Sequence, residues 1–160
     1  MNHTDYLSLQ GLSKSYGKVT ALNDFNLSVA QGEFISLLGP SGCGKTTTLQ
    51  LLAGFVQPSA GDILLNGKSI THLPPNERGL GIVFQSYALF PHMTVRENVS
   101  FGLEMRRMDP VERTERVNRI LAMVQLTDYA DRYPRDLSGG QRQRVALARA
   151  IVIEPPVLLL

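Results

Sequence analysis

The sequence has 160 residues, 43% of them apolar and 19% charged, with a formal net charge of +2. Those proportions describe a globular domain and exclude a disordered chain, while so small a charge gives no argument for nucleic acid. The single cysteine, Cys43, excludes an internal disulfide; no stretch reaches the roughly 18 apolar residues of a membrane span, and residues 1–5 do not read as a signal peptide, so a membrane role is expected only through a partner.

The first third reads as strands and turns. Residues 6–9 and 25–29 alternate apolar and polar, as half-buried strands do, with glycine turns at Gly17-Lys18 and Gln31-Gly32. Residues 34–38, Phe-Ile-Ser-Leu-Leu, are nearly all apolar and predict a strand covered on both faces. Residues 46–53 predict a helix stopped by Gly54. Residues 62–65 predict a strand closed by the tight turn Asn66-Gly67.

The middle turns helical. Thr94 and Glu97 have capping-box spacing, and Asp109-Pro110 opens a longer helix. Along it Val117, Ile120, Leu121 and Val124 form one apolar stripe. Ser138 and Gln141 repeat the capping-box spacing at the start of a helix predicted to reach Ile151. Pro155-Pro156 breaks that helix, and residues 157–160 predict a buried strand. No internal repeat or low-complexity linker is visible.

Gly39, Pro40, Ser41, Gly42, Cys43, Gly44, Lys45 and Thr46 fit the phosphate-loop pattern G-x-x-x-x-G-K-[ST]. Glycines let the backbone curl so that N–H groups point at phosphate oxygens, and the following helix adds its positive end. Lys45 supplies a point charge for the β- and γ-phosphates. The Thr46 hydroxyl suits Mg²⁺, and Thr47 can reach an inner phosphate. Cys43 needs only to be small. The plain alternative is a glycine-rich turn before a helix; the predicted strand before and helix after are the context a nucleotide site requires.

A second motif narrows the field: Leu137 followed by Ser138, Gly139, Gly140 and Gln141. The Ser138 hydroxyl and the amides of Gly139 and Gly140 form a donor nest at a helix start. An ordinary N-cap explains Ser138 and Gln141, but not two glycines, which weaken a helix's first turn.

With both motifs in order, the sequence resembles the ATPases of ABC transporters, from about residue 7 to residue 160. The resemblance implies an α/β fold: a phosphate-loop core with a parallel sheet and an antiparallel β arm (residues 7–85), a helical subdomain (86–137), then the signature helix and the start of the next core strand (138–160). It places Tyr16 under the adenine of ATP. It places Gln85 at the end of the apolar segment 81–84, touching Mg²⁺ and the attacking water; Lys45 and Gln85 are then the catalytic candidates. It implies a head-to-tail homodimer, with ATP between the phosphate loop of one subunit and the Ser138 motif of the other.

Residues 85–95 resemble the importer branch, where this stretch lies near the groove that grips a membrane permease. Tyr87, Leu89, Phe90 and Met93 would form the contact patch, or else pack under the helical subdomain; a mixture is expected. The wording of residues 87–94 is similar to ATPases of polyamine (spermidine and putrescine) uptake, with iron and sugar importers close behind. A separate solute-binding protein would act only indirectly, nucleic acid is no partner, and the place implied is the cytoplasmic face of the inner membrane.

In the family an Asp-Glu pair and a later histidine follow the strand begun at residues 157–160. The sequence stops at Leu160, so the fold is expected to be incomplete there and the chain to bind ATP without hydrolysing it. Two other classes compete. A non-transport ABC ATPase would show coiled-coil insertions, cysteine clusters or a second cassette, none of which is seen. A non-catalytic fragment that at most binds nucleotide fits the molecule as given.

Overall fold

The computed structural model describes residues 5–160. The chain forms two compact units, Met1–Arg78 and Gly79–Leu160.

The first unit is built on a four-stranded antiparallel sheet, order β2-β1-β3-β4, of β1 (Leu7–Tyr16), β2 (Val19–Val29), β3 (Ala60–Leu65) and β4 (Lys68–Ser69). The predicted turns close it. Tyr16 pairs with Val19 across Gly17-Lys18, and Leu65 with Lys68 across Asn66-Gly67, both of which have positive φ (50° and 71°). That is the backbone a two-residue hairpin turn of this twist demands. The alternation predicted for residues 6–9 is not observed: Leu7, Ser8 and Leu9 are all buried, β1 being a central strand with β2 on one side and β3 on the other. Helix α1 (Lys45–Ala53) buries Thr48, Leu51, Leu52 and Ala53 and ends at Gly54, which turns left-handed (φ 81°).

Residues 34–38 depart from expectation. They join no ladder, and Phe34 and Leu38 are 84% and 88% exposed. An apolar strand is buried only when other strands or helices cover its faces, and none does so here among the described residues.

In the second unit a parallel pair, β5 (Gly81–Ile82) with β6 (Leu158–Leu159), lies beside three helices. The predicted strands 81–84 and 157–160 thus shorten to two residues each, with one further bond from Val83 N to Leu159 O (2.9 Å). Helices α2 (Val95–Met105), α3 (Pro110–Met123) and α4 (Gly139–Ile151) share one apolar core. The stripe Val117, Ile120, Leu121 and Val124 meets Val95, Val99 and Leu103 of α2 and Val145, Ala148 and Val152 at or beyond α4, all buried. Each helix opens as its sequence predicts. Thr94 and Glu97 close a capping box on α2, Asp109 caps α3, and Ser138 and Gln141 close a second box on α4. Such caps contribute about 1 kcal/mol each.

Candidate functional site

Of the four α-helices among the described residues, three start with a side-chain cap; α1 does not. Its N-cap is Gly44, left-handed at φ 94°, and no side chain accepts from its first turn. The four leading amides of a helix have no partner within it, so this end offers an anion both backbone donors and the helix dipole. The loop before it is shaped accordingly. A Cβ on Gly39 would lie 2.6 Å from Cys43 Sγ, and one on Gly44 would lie 2.9 Å from Ala21 O. Alanine therefore fits at neither position, and both backbones take left-handed or extreme φ (156° and 94°) that favour glycine. The result is a concavity of about 290 Å³ lined by Ala21, Ser41, Gly42, Gly44, Lys45, Thr46 and Thr47.

The side chains of this cradle divide by task. Thr48, next to Thr46 and Thr47, is 2% exposed and donates to Gly44 O at 2.9 Å, locking the first turn. Thr46 and Thr47 make no side-chain hydrogen bond among the described residues and face the concavity. The Lys45 ammonium curls back to donate to the carbonyls of Gly39 and Pro40 (2.9 Å to the latter) and lies 3.4 Å from Cys43 Sγ. A cation held by two neutral carbonyls and a thiol is free to exchange them for phosphate oxygens, which bind it more strongly. The cradle thus fits a nucleotide polyphosphate. Thr46, exposed in the cradle, presents a hard oxygen of the kind Mg²⁺ takes. Mg²⁺ would neutralise charge between phosphate oxygens there. Among the described residues, no group of three or more His, Cys, Asp or Glu forms an all-protein metal site.

Tyr16 ends β1 and is 48% exposed, and the Lys14 ammonium lies 5.0 Å from its ring centroid. An aromatic ring open to solvent, on the same unit as the cradle, offers a face for a base to stack on.

Gln85 stands in a turn just past β5, its side chain exposed. Of the apolar residues after it, part is spent inward: Leu89 packs against the helical core, and Phe90 tilts onto Phe101 with centroids 4.7 Å apart.

Ser138, Gly139 and Gly140 are exposed and Gln141 is half-buried, while Leu137 is buried in the helical core. Gln141 N donates to Ser138 Oγ at 3.3 Å and Ser138 N to Gln141 Oε1 at 2.7 Å. The cap uses the hydroxyl only as acceptor, so its proton remains available to an external anion. A Cβ on Gly139 or Gly140 would meet nothing within 4 Å, and neither glycine has positive φ. Nothing among the described residues requires glycine at these two positions.

Two site-supporting side chains escaped sequence reasoning. Arg78 is buried, and it donates to Leu51 O, Leu52 O, Thr71 O and Leu73 O at 2.6–2.9 Å, holding the far end of α1. Burial lowers its pKa. Asn98, fully buried on α2, bonds Phe90 N and O, Met93 O and Thr94 O. Arg78 reaches Leu51 and Leu52 from 27 and 26 residues away, and Asn98 reaches back into the loop before its own helix; no sequence motif signals either.

Known proteins resemble this chain over nearly its whole length. The family profile described as ABC transporter matches residues 22–160. A spermidine/putrescine import ATP-binding protein of Haemophilus influenzae is 55% identical over 154 residues, covering 96% of this chain and 41% of the relative. One of the same description from Oleidesulfovibrio alaskensis is 53% identical over 161 residues, covering 100% of this chain and 43% of its own length. The chain thus spans about two-fifths of the length of the curated relatives it matches. Among solved structures, the ATP-binding cassette MJ0796, a dimer in a post-hydrolysis state bound to ADP and Pi, superposes with a TM-score of 0.85 at 35% identity, covering 96% of this chain and 72% of that one. The antiparallel sheet, the parallel pair and the helices accord with that fold, and the chain belongs to the ABC transporter family.

Proposed function

We propose that these residues are the nucleotide-binding part of an importer ATPase that couples ATP binding and hydrolysis to uptake of polyamines through a membrane permease. The observation that carries the nucleotide is the uncapped, glycine-shaped start of α1, with Lys45, Thr46 and Thr47 around it. ATP sits with its phosphates on the amides of 42–47, its base on Tyr16, and Mg²⁺ at Thr46. Residues 1–160 alone bind it without turning it over, since Gln85 can orient a water but is a poor base. The two glycines after Ser138, unexplained among the described residues, support a second copy whose ATP the motif covers head to tail; the dimeric state of MJ0796 supports it too. Polyamine cargo rests on the names of the relatives. A permease docked on residues 85–95 would hold the subunit at the cytoplasmic face of the inner membrane; among the described residues no helix is long and apolar enough to cross one.

The test has two parts. Titration of the chain with a fluorescent ATP analogue should saturate and be competed by ATP with Mg²⁺; absence of binding by folded protein refutes the nucleotide reading. The natural longer gene product should restore spermidine uptake to a strain lacking its own polyamine ATPase. Restoration of maltose or iron uptake instead would reassign the cargo and leave the ATPase reading intact.

A further inference from the structure

The loop after Gln85 carries backbone strain. Tyr87 and Ala88 are consecutive residues with φ of 62° and 43°, a left-handed pair that a side chain's Cβ disfavours at each position. Strain of this kind persists only where surrounding groups hold it. The holder is Arg149 on α4. One nitrogen of its guanidinium donates to Ala88 O at 2.8 Å and another to Tyr87 O at 3.0 Å. The planar fork matches two successive carbonyls as an ammonium does not. The same cation lies 5.4 Å from the Phe90 ring centroid, and it forms no ion pair with a carboxylate among the described residues. Asn98 fixes the other end of the loop through Phe90, Met93 and Thr94. A half-buried cation that spends its donors on one loop costs free energy unless that loop stays in place.

The geometry points to Arg149 as a positioning residue that holds the 87–88 loop in its strained form and ties it to the helix that begins at the Ser138 motif. Arg149 lies eleven residues after Ser138 on α4, about 16 Å along a rigid helix. A displacement at the Ser138 end is therefore delivered to the loop carbonyls through one side chain, and a displacement of the loop returns the same way. Burial pulls the Arg149 pKa down, in keeping with a cation withdrawn from water. The significance for transport rests on the importer reading above; the clamp itself does not.

Hydrogen exchange of the chain tests the clamp. Arg149→Gln should speed exchange of the Tyr87 amide, which donates to Phe84 O at 2.8 Å, by at least tenfold, with amides of the α2 and α3 core within threefold of the parent. Arg149→Lys should recover little. Ala88→Gly added to Arg149→Gln should restore most of the protection, because glycine takes positive φ without a clamp. In the longer natural protein with its permease, Arg149→Gln should lower permease-stimulated ATPase at least fivefold and leave basal ATPase within twofold; the glycine double variant should recover it. Unchanged Tyr87 exchange, loss spread equally over the helical core, or failure of the glycine to rescue would overturn the clamp. Faster Tyr87 exchange with unaltered stimulation would overturn the coupling while the ATPase reading stands.

Discussion

A Cβ built on Gly54 would lie 2.5 Å from Nε of Arg78 and 2.8 Å from its Cζ. The glycine that ends α1 and the arginine that caps its last carbonyls are thus one device: Gly54 has to be bare for the guanidinium to reach Leu51 O and Leu52 O (2.7 and 2.9 Å). The cation also sits at the negative end of the helix dipole. Gly54→Ala should destabilise the chain by about 2–4 kcal/mol, from left-handed strain plus lost hydrogen bonds. Arg78→Lys should do nearly as much harm, since an ammonium does not span four carbonyls. Urea unfolding midpoints measure both; a loss within about 0.5 kcal/mol for either, the scale of ordinary surface substitutions, would show that the contact is incidental.

The opposite end of α1 makes the ligand prediction. Lys45→Ala removes a cation that in this structure reaches only Gly39 O, Pro40 O and Cys43 Sγ. The fold should tolerate it. ATP affinity should fall at least about tenfold, since a charge-assisted contact contributes roughly 1.5–3 kcal/mol. Titration with the fluorescent analogue checks it, and unchanged affinity in folded protein would remove the phosphate-loop assignment.

Acid sensitivity is expected at the β3–β4 hairpin. Asp62 accepts from Ser69 Oγ (2.6 Å), Thr71 Oγ1 and Ile63 N (2.9 Å). These bonds, Ser69's first, hold its carboxyl below the usual value. A depressed folded pKa stabilises above the unfolded value, about 3.9, and that contribution is lost as pH falls through the lower folded value. Stability of the parent should therefore drop below about pH 4, and Asp62→Asn should flatten that part of the profile while lowering stability at neutral pH. An unchanged acid limb in the variant would place the sensitivity elsewhere.

What local sequence encodes was legible, and what needs partners was not. The capping boxes at Thr94 and Ser138, Pro110 in the first turn of α3, the Asn66-Gly67 turn and the stripe through Val117 are all present, because each depends on residues within one or two turns. Residues 34–38 were misjudged for the opposite reason. Their apolar run says only that they suit burial, and burial depends on what else the chain brings alongside. The phosphate loop and the Gly54 stop were legible as motifs; Arg78, which reaches Leu51 O and Leu52 O, is fixed by distances that no sequence spacing reports.

The Ser138 motif yields a prediction with two signs. Gly139 and Gly140 stand in the first turn of α4, with ordinary φ and open space where a Cβ would go. Glycine in a helix is less favourable than alanine by roughly 0.5–1 kcal/mol, so Gly139→Ala and Gly140→Ala should each leave the chain as stable or more stable. If the motif exists to let a second subunit's ATP approach the helix start, the same variants should weaken ATP-driven dimerisation of the longer natural protein. Ser138→Arg should abolish it while monomer ATP binding stays within about twofold, because the substitution removes the hydroxyl donor and fills the approach with a long side chain. Urea unfolding reads the first effect, and sizing chromatography with ATP under non-hydrolysing conditions reads the second. Stabilised variants that dimerise normally would show that the paired glycines serve nothing across an interface, and that the donor nest at Ser138 is a helix cap and no more.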